Sequence, residues 1–83
     1  MKNIEQVYPI AEALTADFER ERGAQLTHRD RVTAYMIFLD LEYNRPRPLP
    51  LRVLVNRHED DPEFSEQIAA DALAFWNQHP AKR

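Results

Sequence analysis

The chain has no cysteine. That excludes disulfides, thiolate metal sites and a cysteine nucleophile together. It has a single glycine, Gly23, which argues against glycine-rich phosphate loops and against a sheet with many tight turns. Hydroxyl groups are scarce too: Ser65 is the only serine, and the threonines are Thr15, Thr27 and Thr33. None of them lies in a nucleophile elbow. No apolar run approaches the roughly 20 residues needed to span a bilayer. The opening Met-Lys-Asn-Ile-Glu is charged and lacks the apolar stretch of a signal peptide, so a cytoplasmic location is expected. There is no internal repeat and no low-complexity tract.

What is present is apolar enough to fold. Of the 83 residues, 43% are hydrophobic and 10% aromatic, a globular composition rather than a disordered one. One domain over residues 1–83 is expected, with frayed termini at 1–6 and 80–83. A chain this short buries only about 60% of its unfolded surface. Without disulfides, the remaining stability has to come from good helix packing or from self-association.

The periodicity predicts an all-α fold: a small bundle of three long helices plus one short helix. Ile10, Leu14 and Phe18 recur along residues 9–22, with Val7 and Ala11 beside the stripe. Pro9 suits a first-turn position there, and Gly23 suits the residue just past the end. A start at Asn3 would instead put Pro9 inside the helix and call for a kink.

Thr27 followed by Asp30 opens the second helix as a variant of the capping box. Its body, Val32 to Tyr43, is apolar on two faces: Val32, Tyr35, Met36, Leu39 and Tyr43 on one, Ala34, Phe38 and Leu41 on the other. Such a helix is sandwiched by neighbours or lends one face to another chain. The central core position is the preferred reading. The prolines of Arg45-Pro-Arg-Pro-Leu-Pro50 end it.

Residues 51–57 read as a short helix with Leu51, Leu54 and Val55 inward. A strand is the alternative, but no second strand exists to pair with it. The last helix is expected to be capped by Asp60 or Asp61, with Pro62 in its first turn. Its stripe is Phe64, Ile68, Ala72, Phe75 and Trp76, and Leu73 points away from it.

Candidate chemistry is thin. His28, His58 and His79 share no metal-ligand spacing. The acidic run from Glu59 to Glu63 is interrupted by Pro62 and lacks the glycine of a calcium loop. No catalytic residue, no metal and no cofactor is therefore expected, and the chain is read as not an enzyme. Pro46-Arg-Pro-Leu-Pro50 has the look of a ligand for SH3-type domains, but such short patterns occur often by chance, and a stiff linker setting the angle between two helices is the preferred reading.

One pattern stands out. Arg45, Arg47, Arg52 and Arg57 lie in a stretch without acidic residues, while Glu59, Asp60, Asp61, Glu63, Glu66 and Asp71 follow in a stretch without bases. The two stretches either neutralise each other or present opposite patches to partners. Arginine matters for the second reading through its planar fork, and the two readings stand about even.

The function expected on these grounds is a small non-catalytic protein–protein interaction module: an adaptor, inhibitor or accessory subunit. Small acidic helical proteins of that class occur among phage and mobile-element inhibitors. The expected partner surface combines Tyr35, Phe38 and Tyr43 with Arg45, Arg47, Arg52 and Arg57, because tyrosine and arginine anchor interfaces most often. The alternative is a helix-turn-helix-like nucleic-acid-binding regulator using the arginine segment 45–57, although the net charge of −3 speaks against it. A homodimer seamed by the second helix is the third reading.

Overall fold

The computed structural model describes residues 3–23, 25–44, 50 and 65–78. Among these residues there are three helices and no strand: α1 (Ile4–Arg22), α2 (His28–Tyr43) and α3 (Glu66–Gln78). The segment 51–57, read as a short helix or a strand, lies outside the described residues, as do Asp60, Asp61, Pro62 and Phe64 of the last helix's expected start.

Helix α1 begins at Ile4, earlier than the stripe from residue 9 implies. Its start is fixed by a reciprocal cap. The Asn3 side chain accepts from the Gln6 backbone N–H at 3.0 Å, and the Asn3 N–H donates to the Gln6 side chain at 3.1 Å. Both bonds satisfy donors that a helix start otherwise leaves orphaned. Val7 is fully buried and Ile4 packs against the core. Residues 3–6 are thus a capped first turn rather than part of a frayed end.

Pro9 consequently sits inside α1, on an exposed position. Its ring forfeits the bond that an N–H there would give to the Glu5 carbonyl. The cap and the burial of Val7 offset that loss. At the other end Gly23 takes φ 69°, ψ 14° and donates to the Arg20 carbonyl at 3.1 Å, a left-handed cap suited to glycine.

Thr27 caps α2, accepting from the Asp30 N–H at 3.1 Å. Towards its C-terminal end α2 is enclosed on every side, and every residue from Ile37 to Glu42 is buried. It is the central element, packed against both α1 and α3. Two carboxylates, Asp40 and Glu42, are carried into this closed region, and both are engaged by other groups. Asn44 ends the helix by donating its side-chain amide to the Asp40 carbonyl at 2.8 Å.

Helix α3 starts at Glu66, with the Ser65 hydroxyl accepting from the Ile68 N–H at 3.3 Å. It buries Ile68, Ala69, Ala72, Phe75 and Trp76. Leu73 is half-buried and packs against the same cluster instead of pointing away; with the small Ala69 and Ala72 also buried, the apolar face is wider than the stripe.

The three helices meet at three phenylalanine rings. Phe18, Phe38 and Phe75 lie 5.4–5.9 Å apart, centroid to centroid, within the range of favourable aromatic pairs. Arg22 closes the rim of this core. Its guanidinium lies 5.7 Å from the centroid of the Phe18 ring and pairs with Asp71 of α3.

Candidate functional site: a groove between α1 and α2

The opposite ends of α2 differ. While its C-terminal part is enclosed, its N-terminal part leaves an open groove against α1, of about 290 Å³, lined by Glu12, Thr15, His28, Arg31, Val32 and Tyr35. The helical period explains the membership. His28, Arg31, Val32 and Tyr35 fall on one face of α2 at spacings of three and four, as do Glu12 and Thr15 on α1. Tyr8, one turn before Glu12, stands next to the groove, near enough to Tyr35 to influence its ionisation.

Apolar surface is exposed in this neighbourhood. Tyr8 is 42% and Val32 38% exposed, two of the three large hydrophobic side chains left open among the described residues. Tyr35 is half-buried. Its phenol is pushed above the usual tyrosine value, first by burial, then by the nearby charge of Glu12 and by Tyr8. It therefore stays a neutral hydrogen-bonding group at neutral pH. The floor is closed by Thr15, only 1% exposed, whose hydroxyl donates to the Ala11 carbonyl at 2.8 Å.

The two bases of the groove stand differently. Arg31 is held by Glu19 of α1, with Nη1 2.8 Å from Oε1. The other oxygen of Glu19 accepts from the Leu26 N–H at 3.2 Å, so one carboxylate braces both the turn between the helices and the groove's arginine. His28 occupies the first turn of α2. Glu12 has no cationic partner among the described residues.

The structure divides the residues expected to bind a partner. Tyr35 lines the groove. Phe38 does not: it is fully buried in the phenylalanine triad and offers no surface. Three residues turn a helix by about 300°, one row round from Tyr35, and here that row faces the core. Tyr43 is 37% exposed but lies about 12 Å further along the helix axis, outside the groove. Arg45, Arg47, Arg52 and Arg57 lie outside the described residues, as do His58 and His79. Of the acidic stretch, Asp71 pairs with Arg22 of α1 and also accepts from Gln67 at 2.9 Å.

The sequence reading missed Tyr8, Val32 as a surface residue, and the roles of Glu12 and Glu19. A signal existed. Glu5, Glu12 and Glu19 recur every seven residues, one line along a helix, and Tyr8 falls beside that line. Among the described residues no group of three or more histidine or acidic side chains could hold a metal ion, and no helix is long and apolar enough to cross a membrane.

Compared with protein families, with curated proteins and with solved structures, the chain matches none.

Proposed function

We propose that this chain is a small non-catalytic protein-interaction module, an adaptor, inhibitor or accessory subunit, that receives its partner in the α1–α2 groove. The observation that carries the reading is the grouping of open apolar and phenolic surface, Tyr8, Val32 and Tyr35, around one concavity outside the core. Exposed apolar patches with a polar border mark interaction sites, and tyrosine is among the residues that anchor them. A binding role is also favoured over catalysis by the chemistry lining the groove. Its one hydroxyl nucleophile candidate, Thr15, is buried and already bonded to backbone, and the Tyr35 phenol holds its proton.

The test is recovery of partners from the native host, through cytoplasmic extract, with tagged wild-type protein and the Val32→Asp variant in parallel. Val32 is exposed, so the variant keeps its helical circular dichroism. A protein recovered by the wild type and lost with Val32→Asp supports the reading. A partner held equally by both overturns the choice of surface, co-purified nucleic acid favours the regulator, and a second copy of the chain favours the dimer.

A further inference from the structure

Resting on that reading, we propose that the groove selects a basic side chain, arginine or lysine, presented by a segment of the partner protein. The aliphatic stem would lie on Val32, and the cationic head would meet Glu12 between the rings of Tyr8 and Tyr35.

The charge of the groove carries the argument. Its own arginine is spent on Glu19, with Nη1 2.8 Å from Oε1. Glu12 is exposed and has no cationic partner among the described residues. Of the groove's carboxylate and guanidinium groups, the one left unmatched among the described residues is therefore the negative Glu12. Glu5 lies two turns before Glu12 on the same line of α1 and adds to that field, as does the net charge of −3.

The groove's other groups suit the same ligand. Phenol faces attract a cation placed over them, and long basic side chains bury their stems on apolar surface while keeping the charge at a polar edge. A carboxylate or phosphate would instead face Glu12 directly, at a cost in affinity. An uncharged apolar side chain could use Val32 and the rings but would leave Glu12 partly desolvated without a partner.

The test uses the full chain labelled with ¹⁵N and three blocked tripeptides: acetyl-Leu-Arg-Leu-amide, acetyl-Leu-Gln-Leu-amide and acetyl-Leu-Glu-Leu-amide. The arginine peptide is expected to move the amide signals of Tyr8, Glu12, Val32 and Tyr35, and to bind about five- to tenfold more tightly than the glutamine peptide. Glu12→Gln is expected to abolish the difference, and Glu12→Asp to restore part of it. Equal binding of all three peptides in the groove overturns the preference for a basic side chain and leaves the groove as the docking place. Signals that move only elsewhere, or not at all, overturn both.

Discussion

The Phe18 ring meets the Phe38 ring edge-on, with centroids 5.9 Å apart and planes at 77°. Phe75 tilts against both, so one ring from each helix fills a single site. Phe38→Ala removes the member from the central helix, a change costing about 3–5 kcal/mol. A domain has only about 5–15 kcal/mol in total. The variant is expected to be largely unfolded or to melt far earlier in urea, whereas Phe38→Leu stays folded. Weakened partner binding by a Phe38→Ala protein of unchanged stability would contradict the core assignment.

At the start of α1 two substitutions should act in opposite directions. Asn3→Ala breaks the reciprocal cap and is expected to cost about 0.5–2 kcal/mol, with Asn3→Ser retaining most of it. Pro9→Ala restores an N–H for the Glu5 carbonyl and removes the ring, so a gain of roughly 1–3 kcal/mol is expected after allowing for the looser unfolded chain. Urea midpoints of the two variants check the signs.

Gly23 isolates a backbone effect. A Cβ there would meet nothing within 4 Å, yet φ is +69°. Gly23→Ala should therefore cost about 1 kcal/mol from the left-handed conformation alone, and Gly23→Asn less. A larger loss would mean that the added methyl finds an obstacle.

Stripes such as Leu14–Phe18 and Ile68–Phe75 announced helices because apolar spacing depends on local geometry alone, and Gly23 announced a helix end for the same reason. The start of α1 was misplaced because Pro9 suggests a first turn, while the Asn3–Gln6 box that overrides it is a weaker pattern. Phe38 was assigned to the surface because α2 is apolar on two faces, and only its neighbours decide which face is covered. The groove was illegible for a related reason: it is made by two helices together, and Glu12 and Val32 are unremarkable on either one.

Tyr35 gives the alkaline behaviour a sign. Burial, then Glu12 and Tyr8, raise its pKa above the ordinary tyrosine value in the folded state, so the unfolded chain loses this proton first. Its contribution to stability is complete below that unfolded value and is lost as pH rises from there through the folded one. Absorbance titration should show one tyrosine ionising late, missing in Tyr35→Phe. The variant should also lose less stability above pH ~10 than the wild type does. A Tyr35→Phe protein that falls as steeply would refute the assignment.

Glu19 touches no ligand in this scheme, yet it decides whether the groove is available to one. By holding the Arg31 guanidinium and the Leu26 N–H at once, it occupies an arginine that lines the same groove as Glu12. Glu19→Ala turns Arg31 into an intramolecular competitor. The expected result is a groove of intact shape that no longer distinguishes the arginine peptide from the glutamine one, with the preference regained in the double variant Glu19→Ala, Arg31→Ala. A mutation at a residue outside the groove lining would thereby make Arg31 a built-in antagonist.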